Sequence, residues 1–284
     1  MHIIVHGGAG RTPEDTDSHD RALSKAASRG AEAASPIDGV VAAVRWLEST
    51  PGFNAGLGSV VQSDGRIRTD AGIMTGSGSV GAACAMEGVE HAIEVARAVM
   101  TATPHVLVAG EHAVDLAAAF GINTRVDLWT ERTRSRWAEI DPPTTATRDQ
   151  LDWVREQFGD GHDTVGAVAA DGDRVAAATS TGGRWFALAG RVGDVPQIGS
   201  GFYASEAGGA SATGAGEDIA RKTLARRAVS HLESGLDPDS AAEQAISDFE
   251  ADVDSTAGII VMDTGGDAGS AYNSDHMGTA VDRR

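Results

Sequence analysis

The 284-residue chain has a single cysteine, Cys84. That excludes an intrachain disulfide and a cysteine-rich zinc site. Lysine is nearly absent: Lys25 and Lys222 stand alone, and the other 21 cations are arginines. Positive charge is scarce as a whole, with 23 Lys+Arg against 41 Asp+Glu and a net charge of −18. A surface of that sign repels phosphate backbones, which argues against a nucleic-acid binder. No apolar run reaches the ~18 residues that a membrane span needs. The opening Met1-His2-Ile3-Ile4-Val5-His6 is too short, and lacks the cationic region, for a signal peptide; the expected compartment is the cytoplasm. There is no G-x-x-x-x-G-K-[ST] and no H-E-x-x-H. Gly7-Gly8-Ala9-Gly10 follows a strand but lacks the spacing and the later acidic partner of a dinucleotide site. The nine histidines are scattered, and none pairs at metal-ligand spacing near a third ligand, so a zinc site is not expected.

What is present describes the solvent first. Dense carboxylates with so little lysine suit a protein working in high salt, where counter-ions screen the self-repulsion. The bland alternative is an ordinary acidic cytosolic protein. Apolar residues make up 41%, enough for one large globular domain or two small ones. Glycine, at 36 residues, is about twice the usual ~7%.

The periodicity predicts a buried strand over 2–6 and a helix over about 19–33. A second helix is expected over 36–48, with Ser35 as N-cap and Pro36 at the first helical position. Residues 53–86 are glycine-rich, with short strand-like pieces at 59–62, 66–70 and 81–86. Helices are expected at 89–100 and 110–119, with a short strand at 105–108 between them. Residues 131–162 read as a polar linker or tail, with a weak helix at 149–158. Strands 164–169 and 174–179 are joined by Asp171-Gly172-Asp173, a hairpin signal. Helices at 217–233 and 238–250 and strands at 257–262 and 268–272 close the chain. Strands, helices and strands in each half suggest packed sheets with helices outside.

The chemistry concentrates between Gly161 and Gly216. Three threonines stand among small residues: Thr164 in Asp163-Thr164-Val165-Gly166, Thr181 in Thr179-Ser180-Thr181-Gly182-Gly183, and Thr213 in Thr213-Gly214-Ala215-Gly216-Glu217. Between them lies Gly190-Arg191-Val192-Gly193-Asp194. A threonine in a strand is ordinarily just a good β-former. Glycines beside it let backbone approach a ligand closely. An Arg and an Asp three apart offer a clamp for a carboxylate and a clamp for an ammonium, the two charged ends of an amino acid. Cys84, between Ala83 and Ala85, reads as a buried, inert thiol.

These motifs, with His6-Gly7-Gly8-Ala9-Gly10 and Phe53-Asn54-Ala55-Gly56-Leu57-Gly58-Ser59, resemble those of the plant-type L-asparaginase/isoaspartyl peptidase family. These are N-terminal-nucleophile hydrolases, and the resemblance covers nearly the whole chain. It implies an α+β fold, a four-layer αββα sandwich, in one hydrolase domain. It implies a precursor that cleaves itself between Asp163 and Thr164 into 1–163 and 164–284, with the pair dimerised. Thr164 would then be both nucleophile and, through its new α-amine, base. An amine of unperturbed pKa near ~7.7–8.0 can take the hydroxyl proton that neutral water cannot. Thr181 would bond to Thr164, and Thr213 with Gly214 N–H would hold the oxyanion. Arg191 would bind the substrate α-carboxylate and Asp194 its ammonium, beside Gly216. Asn54 would hold the threonine and the scissile loop.

The resemblance implies a small-molecule substrate, L-Asn or a β-aspartyl peptide, and no organic cofactor. It also implies a sodium ion wrapped by the carbonyls of Leu47, Glu48, Thr50, Phe53, Ala55 and Leu57, oxygen ligands that suit a hard cation. The alternative is an ordinary helix-to-strand loop. Some features depart from the family. Asp163 stands where asparaginases commonly have Gly, Ala215 replaces a frequent Thr, and Arg184–Ala189 is apolar where the family is polar. Two rivals stay open: a glycosylasparaginase, and a non-catalytic amino-acid-binding protein.

Overall fold

A computed structural model describes residues 1–140, 147–157 and 164–284. Asp163, and with it the Asp163–Thr164 bond, lies outside the described residues, as do 158–162 and 141–146 of the expected linker.

The strands form two sheets. The larger contains β1 (His2–Gly10), β2 (Arg68–Thr75), β3 (Val80–Glu87), β4 (Leu107–Ala109), β5 (Val165–Asp171), β6 (Arg174–Thr181) and β11 (His276–Arg283), in the order β11-β1-β5-β6-β2-β3-β4. The smaller contains β7 (Phe202–Ser205), β8 (Gly208–Gly214), β9 (Ala257–Asp263) and β10 (Ala268–Tyr272), in the order β10-β9-β8-β7. Helices α1 (Thr16–Ala31), α2 (Pro36–Glu48) and α3 (Ala92–Ala102) cover the outer face of the large sheet, and α4 (Glu111–Ala119) packs beside α3. Helices α8 (Leu224–Glu233) and α9 (Pro238–Asp252) cover the outer face of the small one. The result is the four-layer αββα sandwich.

Alternation along the strands fills three cores. In β5, Val165, Ala167 and Ala169 face α1–α3, while Val168 and Ala170 face the other sheet. In β9, Ile259 and Val261 face α8 and α9, while Ile260 and Met262 face inward. Small residues set the sheet spacing. A Cβ at Gly166 of β5 would collide with Ser211 Oγ of β8 and with His6 Nε2.

Several elements differ from the expectation. β1 runs on through Gly10 because a bulge between His6 and Ala9 keeps it paired with β11. Residues 59–62 contribute only an isolated bridge, Val61 to Ile67. The helix expected over 217–233 is two, α7 (Gly216–Lys222) and α8, broken where Thr223 takes φ +51. Residues 131–140 are not linker: α5 (Glu131–Ala138) opens with a Thr130/Thr133 capping box; the weak helix expected over 149–158 is present as α6 (Thr147–Gln157). The chain closes on β11, not on β10.

Candidate active site

β5 and β6 are joined by the expected tight hairpin, with Asp171 paired to Arg174. Val165 lies opposite Ser180, so Thr164 comes opposite Thr181. Both side chains emerge on the inter-sheet side, because Val165 and Ser180 point to the helices. Thr164 Oγ1 donates to Thr181 Oγ1 at 3.3 Å, and both residues are buried. Thr181 Oγ1 also accepts from Gly183 N at 3.0 Å. That bond fixes the turn after β6.

Asn54 braces the same turn from the other side. Its Nδ2 donates to Gly183 O at 2.7 Å, its Oδ1 accepts from Val60 N at 3.0 Å, and its carbonyl accepts from Gly182 N at 2.8 Å. Beneath the threonines runs a buried polar relay. His6 Nε2 meets Ser211 Oγ at 2.8 Å, Ser211 Oγ meets Thr179 Oγ1 at 2.7 Å, and Thr179 Oγ1 donates to Gly201 O at 2.8 Å. Burial pushes the His6 imidazole down to about 3, although the Thr164 backbone beside it works the other way. The ring is therefore neutral. Thr213, two residues beyond Ser211 on β8, is fully buried and accepts from Ala9 N at 3.3 Å. Gly214 takes φ +131, where a Cβ would strike Thr256 O.

The Arg191–Asp194 turn and the start of α7 converge. A Cβ on Gly216 would sit 2.6 Å from Asp194 Oδ1 and 2.8 Å from Arg191 Nη2. Only glycine lets both charged groups close on that point. Arg191 Nε donates to Glu217 Oε1 at 2.9 Å, and Arg184 Nη1 lies 3.7 Å from Glu217 Oε2. Burial pushes Glu217 up, but Arg191 outweighs it, and the carboxyl stays below its usual range. Asp194 is 5% exposed. Burial raises it to about 6 despite Arg191. Its Oδ2 is buried with no hydrogen-bond partner among the described residues, so it suits an incoming ammonium.

Sequence reasoning missed Glu217 and Gln62. Gln62 Oε1 accepts from Gly190 N at 2.9 Å and its Nε2 donates to Arg191 O at 3.1 Å, so it pins the clamp backbone. Glu217 had a signal, an acid directly after Gly216 at a helix start; Gln62 had none. The apolar insert is placed as well. Trp185 and Phe186 pack with Trp137 of α5 and Trp153 of α6, and Arg136 lies 4.3 Å over the Trp185 ring.

In the loop from Leu47 to Leu57, glycines leave room for neighbouring carbonyls. A Cβ on Gly56 would strike Glu48 O and come within 2.6 Å of Glu90 O; one on Gly58 would lie 2.6 Å from Pro51 O and 2.9 Å from Phe53 O. Leu47 O, Glu48 O and Thr50 O accept from Thr50, Leu57 and Phe53 N–H, and each keeps a second lone pair. Main-chain oxygens are the donor type a hard cation takes. The Glu48 side chain is engaged elsewhere, accepting from Ser180 Oγ at 2.6 Å and Ile93 N at 3.0 Å. Among the described residues, no cluster of three or more His, Cys, Asp or Glu could hold a metal.

With this geometry in place, comparison with known proteins is decisive. A family model described as "Asparaginase" matches residues 1–284. The chain belongs to the asparaginase family. It is 41% identical to the plant-type L-asparaginase of Pyrococcus furiosus, over 98% of this chain and 95% of that protein. It is 43% identical to the plant-type L-asparaginase of Pyrobaculum calidifontis, over 97% and 94%. It is 38% identical to the isoaspartyl peptidase/L-asparaginase of Xenopus laevis, over 98% and 91%. Among the described residues, no helix is long and apolar enough to cross a membrane.

Proposed function

We propose that this chain is a self-processing threonine hydrolase that releases ammonia from L-asparagine and cleaves β-aspartyl peptide bonds. The observation that carries the reading is the Thr164–Thr181 hydroxyl pair, buried at the head of β5, in a chain that also carries the Arg191–Glu217–Asp194 array. Thr164 is preceded by Asp163. The Thr164 hydroxyl adds to the Asp163 carbonyl, the C–N bond breaks, and water opens the resulting ester. Maturation yields 1–163 and 164–284. Before that step Thr164 N is an amide and cannot serve as a base; afterwards it is an amine and can.

In turnover the substrate α-carboxylate accepts from the Arg191 Nη groups, because Nε is engaged by Glu217. Its ammonium donates to Asp194. The Thr164 hydroxyl, losing its proton to its own amine, attacks the side-chain carbonyl. Thr213 and Gly214 N–H receive the oxyanion; such donors are typically worth ~10²–10³ in rate. The protonated amine hands its proton to the departing nitrogen. Water then resolves the β-aspartyl ester. A sodium ion in the 47–57 loop would brace the backbone around Asn54 and takes part in no step. The reading also includes a dimer of matured pairs and adaptation to salt. The first is supported by the family resemblance and the second by the −18 charge.

The test is denaturing mass spectrometry with an ammonia-release assay. Two chains breaking before Thr164, activity on free asparagine and β-aspartyl dipeptides, and one uncut inactive chain for Thr164→Ala are the expected results. An uncut, fully active wild type would sink the mechanism. Hydrolysis of glycosyl-asparagine without free asparagine would favour the rival branch.

A further inference from the structure

Asp70 has no part in the reaction above, yet the fold is bent around it. It is 3% exposed on β2, and among the described residues no cation lies within salt-bridge distance. A buried acid without a paired cation is rare. Its Oδ1 accepts from Ala85 N at 2.7 Å. That bond exists because the β2–β3 ladder slips: Thr69 pairs with Met86 and Ala71 with Ala83, so Cys84 and Ala85 both oppose Asp70. The extra residue is a bulge, and bulges beside active sites re-aim groups. Ala85 takes φ +55 to form it, a left-handed conformation costly for a residue with a Cβ.

Position says what the bulge serves. Asp70 is in register with Thr181 on β6, and Thr181 bonds to Thr164. Ala71 and Ile73 of β2 belong to the helix-side core while Met74 belongs to the inter-sheet core. Asp70 thus shares the inter-sheet face with the two threonines, in one row across three strands. Arg191 Nη1 lies 3.8 Å from where a Cβ on Gly183 would stand, two residues beyond Thr181, so the clamp reaches the same end of β6; Arg191 and Asp194 both act on Asp70 electrostatically, the first favouring its ionised form and the second opposing it.

We propose that Asp70 is a positioning residue of the substrate clamp, a third carboxylate whose proton sets how much positive charge Arg191 presents to the substrate α-carboxylate. It rests on the assignment of Arg191 and Asp194 as that clamp. With Asp70 neutral, the carboxylates acting on Arg191 are those of Glu217 and Asp194. With Asp70 ionised, the site gains one negative charge and competes with the substrate for Arg191. Burial raises Asp70 to about 7, so both forms are populated near neutrality. Of its neighbours, Cys84 on β3 stays a thiol because burial pushes it up to about 12, and Thr181 on β6 does not titrate; the α-amine that maturation frees on Thr164, whose hydroxyl bonds to Thr181, is present in wild type and Asp70→Asn alike, so the difference between the two reports Asp70. Asp194, raised to about 6, ionises first and improves ammonium binding. Affinity is therefore best between the two titrations and falls above the second.

The experiment is KM and kcat for L-asparagine against pH, for matured wild type and Asp70→Asn. If only the protonated form binds, wild-type KM rises roughly tenfold from about pH 6.5 to about pH 8. Asp70→Asn should show less than a twofold rise while kcat keeps the wild-type pH profile. A variant that keeps the full rise, or a flat wild type, overturns the inference. If the variant fails to mature, calorimetry of L-aspartate binding to wild type at about pH 7.5, in two buffers of different ionisation enthalpy, decides instead. Net proton uptake supports the role and none overturns it. A matured enzyme that releases no ammonia overturns the reaction assignment and this role together; an active one with a flat KM overturns this role alone.

Discussion

Replacing Phe186 should invert the usual order of alanine and glycine. The side chain is 4% exposed, with ring centroids 5.3 Å from Trp185, 5.7 Å from Trp153 and 6.2 Å from Trp137. Truncating such a ring costs ~3–5 kcal/mol, and each ring pair accounts for ~0.5–1.5 kcal/mol beyond burial. Its backbone, however, holds φ +57, which costs a residue with a Cβ about 1–2 kcal/mol. Phe186→Ala loses the rings and keeps that strain. Phe186→Gly loses the rings and relieves it, giving back ~0.5–1 kcal/mol as unfolded-chain entropy. Glycine should therefore match alanine or beat it by up to ~1.5 kcal/mol, where an ordinary site would put it ~1 kcal/mol behind. Trp137 and Trp153 precede Thr164 and Trp185 and Phe186 follow it, so the loss should appear first as release of α5 and α6. Hydrogen exchange and limited proteolysis of 131–157 report that locally, and denaturant midpoints report the total. A glycine variant ~1 kcal/mol worse than alanine refutes the strain argument. Unchanged protection of α5 and α6 in both refutes the anchoring.

Glu217→Ala should raise KM for asparagine about tenfold with kcat little changed. A hydrogen bond to a charged group is worth ~1.5–3 kcal/mol, discounted because Glu217 is 32% exposed; steady-state kinetics showing an unmoved KM would count against it. Thr181→Val removes the partner of the Thr164 hydroxyl, and mass spectrometry should find maturation slowed or turnover reduced; normal rates of both exclude that role. His6 is held neutral, with its pKa lowered from 6.5 to about 3. The unfolded chain takes up that proton first, so the contribution of His6 is intact above about pH 6.5 and is lost as pH falls toward about 3. Tm against pH should therefore be flatter for His6→Gln over that window, and parallel curves would exclude the linkage.

Much of the frame was legible because its signals are local. Ser35 accepts from Asp38 N and Pro36 opens α2, so both ends of that helix fell where expected. Asp171-Gly172-Asp173 gave the β5–β6 hairpin for the same reason. β8 was invisible, because Gly208–Gly214 is wholly buried yet built of Gly, Ala, Ser and Thr; the close approach of two sheets leaves no room for the branched residues that mark a strand. α5 was hidden by its polarity, with Thr133 its one buried residue. In the site, the threonines and the Arg191–Asp194 pair stood out through their glycine settings. Glu217, Gln62 and Asp70 did not, since the groups they hold are 26, 129 and 15 residues away in sequence. Only the tertiary fold makes them neighbours.

Surface and site also divide the charge between them. Most of the surface pairs are exposed, such as Arg155–Asp152 and Arg134–Asp127, and such pairs contribute ~0–1 kcal/mol each. At physiological ionic strength their fields fade within ~8 Å. The site is different: Arg191 and Asp194 are largely withdrawn from water, where screening by salt is weak. Burial lifts Asp194 to about 6 and Asp70 to about 7. A zwitterionic substrate carries no net charge for the −18 surface to attract or repel. The acidic exterior can therefore answer to the solvent alone, while the charged groups around Gly216 are buried ones that salt screens weakly.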